Sequence, residues 1–68
     1  MEAFKNRLRF CRQQAGLTQK VAAERLEIAF STYRRYEQGE TEPTVSEARH
    51  IAEFYGVTLD YLSGRTRV

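Results

Sequence analysis

Phe4, Leu8, Cys11 and Ala15 recur at offsets of four, three and four, which sets them on one stripe of a helix with about 3.6 residues per turn. The spacing predicts a helix over about 2–15, ended by Gly16 in a left-handed cap. Its other faces carry Arg7, Arg9, Arg12 and the glutamines. Thr18 can cap a second helix over 18–26, with Leu17 packing from before the cap and Val21, Ala22, Ala23 and Leu26 as its apolar side. The paired alanines leave room for another helix to approach closely.

Pattern alone permits one unbroken helix from Thr18 to Gln38, since neither Gly nor Pro interrupts Glu27-Ile28-Ala29. However, Leu26, Ile28, Tyr33 and Tyr36 share no stripe with Ala22 unless the chain changes direction between residues 26 and 30. A tight turn is therefore expected at 27–29, followed by a helix over 30–38 that buries Tyr33 and Tyr36 and stops at Gly39. After the polar loop Glu40-Thr41-Glu42-Pro43, Thr44 and Glu47 have capping-box spacing. They open a helix over 44–55 with Val45, Ala48, Ile51, Ala52 and Tyr55 inward, closed by Gly56. Thr58 caps a last short helix over 58–63, with Gly64 beyond it. No stretch alternates for long with period two, so the expected fold class is all-α. Five helices occupy one domain over 1–64, and a basic tail follows at 65–68.

Composition narrows the function classes. A chain of 68 residues makes one small domain with thin stability, and its 41% hydrophobic content argues against disorder. One Cys and one His provide neither a disulfide framework nor a clustered ligand set, so no metal, cofactor or small-molecule ligand is expected. Cys11 reads as a small buried hydrophobe. His50, beside Arg49, reads as a solvated polar residue. The sequence contains no apolar run of membrane-spanning length and no export-type apolar segment near residue 1, which predicts a cytoplasmic protein without membrane association. A buried catalytic cleft is improbable at this size. No paired buried carboxylates, no nucleophile with a base and no phosphate-cradling glycine loop are visible, so an enzyme is not expected.

Charge is segregated along the chain. Through residue 35, eight basic residues stand against three acidic ones, 8 − 3 = +5; from Tyr36 to Gly64, one opposes six, 1 − 6 = −5. Arg65 and Arg67 bring the net to +2. Such a split orients the basic half toward a polyanion.

Together, LTQ at 17–19, AAERL at 22–26, STYRRYEQG at 31–39, Pro43 and IAEFYGVTLDYLSG at 51–64 resemble the phage repressor and Cro-like, or XRE, family of helix-turn-helix domains found in phage and bacterial regulators. The resemblance covers about residues 4–64. It implies a five-helix, lambda-repressor-like domain that binds double-stranded DNA, usually as a homodimer, and regulates transcription. The sequence departs from the family at four places. Glu27 stands where the turn glycine is usual, Ala29 where a Ser or Thr cap is usual, Phe30 where a polar reading residue is common, and Glu40 with Glu42 in a loop that is often basic.

Residue by residue, the resemblance sets Gln19 at the family's phosphate-binding position, at a capped helix N-terminus whose amides add attraction for an anion. Lys20 and Arg25 are further candidates for non-specific contact. With Tyr33 and Tyr36 inward, the base-reading face of the 30–38 helix is Phe30, Ser31, Arg34 and Arg35. Arg35 is the candidate for bidentate contact with guanine, and Ser31 is too permissive to specify much. Arg34 meets phosphate or a flanking base. Phe30 packs on a thymine methyl, on the core or on a partner surface. The family pairs an arginine on the first helix with a glutamate at the end of the recognition helix, here Arg12 and Glu37, with one edge of Arg12 left for phosphate. Gln38 and the Gly39 amide are expected to hold the backbone at the far end of the groove. The expected function is a sequence-specific regulator, a repressor that binds a pseudo-palindromic operator as a homodimer. Its contact surface is expected around Pro43–Val45, the last helix and the Arg65–Val68 tail, with Tyr61 either there or in the core. The alternative is a protein-interaction module that keeps the fold with little DNA affinity.

Overall fold

The computed structural model describes residues 2–65. Five helices follow one another: α1 (Glu2–Gln14), α2 (Gln19–Leu26), α3 (Phe30–Gln38), α4 (Val45–Tyr55) and α5 (Leu59–Ser63). Thr18, Thr44 and Thr58 have extended backbones and stand one residue outside the helices, as N-caps. Their hydroxyls accept from the N–H groups of Val21, Glu47 and Tyr61 at 3.1, 3.1 and 3.0 Å, which satisfies donors that have no intrahelical acceptor. Met1 and positions 66–68, the start of the expected domain and most of the expected tail, lie outside the described residues.

All five helices end in the same way. In each, an N–H two or three residues past the helix donates to the carbonyl five residues back: Leu17 to Arg12, Ile28 to Ala23, Glu40 to Arg35, Val57 to Ala52 and Arg65 to Asp60, at 2.8–3.2 Å. This closure needs a left-handed residue in between. Four of the five sites have glycine there, and the fifth has Glu27, at φ 61°. Among the described residues Glu27 is the one non-glycine with positive φ. The chain therefore breaks between α2 and α3 where the apolar stripes require a change of direction, without the glycine that makes the turn cheap. Ile28, just past the cap, packs against the core and anchors the turn.

Phe4, Leu8, Ala22, Ala23, Leu26, Tyr33, Tyr36, Ile51, Ala52 and Leu62 form the core, with all five helices contributing. Ala22 and Ala23 let α2 sit close to its neighbours. At the other end of the domain, a Cβ on Gly64 would fall 2.6 Å from the Ala3 Cβ, so glycine is needed where the end of α5 meets the start of α1. Cys11 is buried, and burial pushes its thiol above the ordinary value. Val45, expected inward, is 67% exposed: it sits in the first turn of α4, beyond the edge of the core. Tyr61 is half-buried beneath Arg7, whose guanidinium carbon lies 4.5 Å from the ring centre and which also donates to the Tyr61 carbonyl.

Candidate nucleic-acid interface

α2 and α3, joined by the turn at 27–29, pack against each other, and α3 also packs against α1. Around α3, at about 100° per residue, Phe30, Arg34, Gln38, Ser31 and Arg35 fall within an arc of about 140°, and all five are exposed. Tyr33, Tyr36 and Glu37 occupy the opposite arc and are buried. The four expected base-reading residues thus share one face with Gln38. At 44% exposure, Phe30 is outside the core. No side chain caps α3 at Ala29, because a methyl group has no acceptor to offer.

Glu37 ties this helix to the rest of the domain. Its side chain is fully buried, and it is the one buried charged residue among those described. Arg12 donates to it twice, Nε to Oε2 at 2.7 Å and Nη2 to Oε1 at 3.1 Å, while Nη1 donates to the Leu17 carbonyl at 2.9 Å. Gln19 Nε2 donates to Oε1 at 3.1 Å. Arg9 Nη2 reaches the Glu37 carbonyl at 3.1 Å. Burial raises the Glu37 carboxyl pKa, but the hydrogen bonds from Arg12 and Gln19, with the Tyr33 hydroxyl and the Arg12 charge, outweigh it and hold the group below its ordinary value. The same partner, against partial burial, raises Arg12 above its ordinary value.

This network changes how three expected phosphate ligands stand. Arg12 keeps two of its five N–H groups uncommitted. Gln19, expected to point at phosphate, spends one amide hydrogen on Glu37 and has one left. The Gly39 N–H, expected to hold a phosphate, donates to the Tyr36 carbonyl at 3.3 Å as part of the left-handed cap at the helix end. Lys20 and Gln38 are exposed. The first intrahelical bond of α2 runs from Ala22 to the Thr18 carbonyl and Val21 is capped, so the Gln19 and Lys20 amides lie at an open helix N-terminus. The sequence reading missed Arg9, which lies beside Arg12 and is half-exposed at the same junction.

Three further contacts fix the neighbouring helices. Tyr36 donates to a Glu47 carboxylate oxygen, so the carboxylate of the expected capping box holds α3 against α4 rather than closing back on the Thr44 amide. The Tyr33 and Tyr55 hydroxyls are 2.7 Å apart. His50 Nε2 lies 3.0 Å from the Leu26 carbonyl at the end of α2, so the imidazole is exposed yet tied to the helix-turn-helix.

The helix-turn-helix family pattern matches residues 8–62. The chain belongs to the XRE-type helix-turn-helix family. This helix-turn-helix domain is 39% identical over 62 residues to the HTH-type transcriptional regulator ImmR of Bacillus subtilis (strain 168), covering 91% of this chain and 49% of that protein. It is 34% identical over 61 residues to the cryptic phage CTXphi transcriptional repressor RstR of Vibrio cholerae serotype O1, covering 90% of this chain and 54% of RstR. To the uncharacterized HTH-type transcriptional regulator MJ0272 of Methanocaldococcus jannaschii it is 34% identical over 56 residues, 82% of this chain and 85% of that one. The chain spans about half the length of ImmR and RstR. No solved structure matches it.

Proposed function

We propose that this domain is a sequence-specific double-stranded DNA-binding module of a transcriptional regulator, a repressor that occupies a pseudo-palindromic operator as a homodimer. The observation that carries this reading is the single exposed face of α3, where Phe30, Ser31, Arg34, Arg35 and Gln38 project together from a helix anchored by Glu37. An α-helix fits the major groove, and Arg35 on this face can pair bidentately with guanine O6 and N7. The open N-terminus of α2, with the Gln19 amide and Lys20, offers donors to a phosphate, and Arg9 and the free edge of Arg12 add cations at the same junction. The acidic half of the chain directs the basic half toward DNA.

A second copy supplies the discrimination that one recognition helix lacks, with half-sites about 34 Å apart. The proposed contact surface is the groove of about 330 Å³ between Pro43, Val45 and Leu59, where Val45 presents its side chain to solvent. A second reading, a protein-interaction module, draws on exposed Phe10 and Phe54, which line a groove of about 500 Å³ on another side of the domain. Selection of bound duplexes from a random library separates the two. A palindromic consensus with salt-dependent affinity supports the regulator, and recovery of no sequence above background contradicts it.

A further inference from the structure

Phe30 and Arg34 stand one turn apart on the outer face of α3, and the Arg34 guanidinium carbon lies 5.6 Å from the centre of the Phe30 ring. Phe30 contributes nothing to the core, so a ring this exposed at the start of the recognition helix needs another explanation. A guanidinium within about 6 Å of an aromatic face is attracted by the ring quadrupole. The contact also restrains a long side chain whose planar fork gains from being held in place. We propose that Phe30 and Arg34 act as one reading unit for a two-base step in the major groove, a C5-methylated pyrimidine followed by guanine.

In this unit Phe30 packs on the C5-methyl group and Arg34 donates to O6 and N7 of the neighbouring guanine. The assignment rests on the DNA-binding reading above and deepens it. Among the base edges of the major groove, the C5-methyl of thymine is the apolar feature a phenyl ring can cover, and 5-methylcytosine carries the same group. Successive bases on a strand are roughly 3.4 Å apart, and two side chains held 5.6 Å apart, each extending a few Å toward the groove floor, reach neighbouring bases. Arg35 lies about 100° further round the helix and is left for a separate base pair. A phosphate partner for Arg34 would instead draw the guanidinium off the ring and leave the phenyl group in water.

The test uses the full chain and a duplex selected from a random library. Each thymine of that duplex is replaced in turn by deoxyuridine, which removes the methyl group alone. One thymine, followed by guanine, is expected to lose about three- to fivefold in affinity on replacement. At that position 5-methylcytosine paired with guanine retains binding better than unmethylated cytosine. Phe30→Ala abolishes the sensitivity to deoxyuridine and weakens the preference for the adjacent guanine. Phe30→Leu keeps the methyl sensitivity and loses part of the guanine preference, because an aliphatic side chain covers a methyl group but does not hold a guanidinium. Arg34→Ala loses the guanine preference by roughly tenfold. Indifference to deoxyuridine at every thymine, or an Arg34→Ala loss that is equal on all sequences, would overturn the reading unit while leaving DNA binding intact. Selection that enriches no duplex would overturn the DNA-binding reading itself.

Discussion

Arg12 and Glu37, 25 residues apart, form a two-point ion pair in which the glutamate side chain is fully buried and the arginine side chain is 15% exposed. Removing Arg12 leaves the buried carboxylate with the Gln19 amide and the more distant Arg9, 3.9 Å away, which costs up to about 3–5 kcal/mol. Arg12→Leu is therefore expected to destabilise the domain by about that amount. Arg12→Leu with Glu37→Leu should be less destabilised than Arg12→Leu alone, because no buried charge then remains. Urea denaturation of the two variants and the parent gives the comparison. Equal loss in both would mean that Arg12 acts by packing rather than by charge.

The depressed Glu37 carboxyl sets the sign of the acid response. Its folded value lies below the ordinary 4.5, so around that pH the unfolded chain binds more protons than the folded one. The stability this group contributes is present above pH 4.5 and is lost as pH falls through the folded value. Stability measured from pH 6 to pH 3, on the order of the carboxylate titration range, should fall less steeply in Glu37→Gln than in the parent. A parallel fall in both would place the acid response on other carboxylates.

Buried tyrosines produce the opposite limb. Burial, joined by the bond between the Tyr33 and Tyr55 hydroxyls, raises Tyr33 well above its ordinary value of 10, and burial with the Glu47 contact pushes Tyr36 up to about 12. The unfolded chain ionises first, so this stability is intact below pH 10 and is lost as pH rises beyond it. Tyrosinate absorbance from Tyr33, Tyr36 and Tyr55 should appear together with loss of helical circular dichroism. Ionisation of these three before any helix is lost would contradict the burial of Tyr33.

Two departures from the family pattern leave stability to be recovered. Glu27 holds a left-handed conformation that costs a side-chain-bearing residue about 1 kcal/mol, and Ala29 leaves the start of α3 uncapped. Glu27→Gly and Ala29→Ser are each expected to stabilise the domain by about 0.5–1 kcal/mol, or roughly 2–8 °C in Tm. Thermal unfolding of each variant tests this, and an unchanged Tm for Glu27→Gly would show that the turn is not strained.

The helices were legible because their signals are local. Apolar stripes such as Phe4, Leu8 and Cys11, threonine caps and glycine stops each operate within one or two turns. Even the break at Glu27 could be read without its glycine, since the tyrosines of α3 had to reach the same core as Ala22. Side-chain partners across the fold were less accessible. Nothing near Gln19 indicates that its amide serves Glu37, 18 residues away, and nothing near Glu47 indicates a bond from Tyr36. His50 likewise finds the Leu26 carbonyl only once α4 lies across the end of α2. Val45 misled for a related reason: it keeps the helical spacing of the core stripe, but its turn extends past the helices that would cover it.

The proposal that α3 reads bases while the start of α2 grips the backbone is tested most directly by the Arg35→Ala and Gln19→Ala variants. Their affinities are measured on a selected operator and a scrambled duplex at several salt concentrations. Arg35→Ala should weaken operator binding by about 1–3 kcal/mol, erase the preference at one base pair and leave scrambled DNA much less affected. Gln19→Ala should weaken both duplexes alike with little change in salt slope, since an amide releases no counterion. Equal losses for Arg35→Ala on the two duplexes would contradict the assignment of base reading to this face of α3.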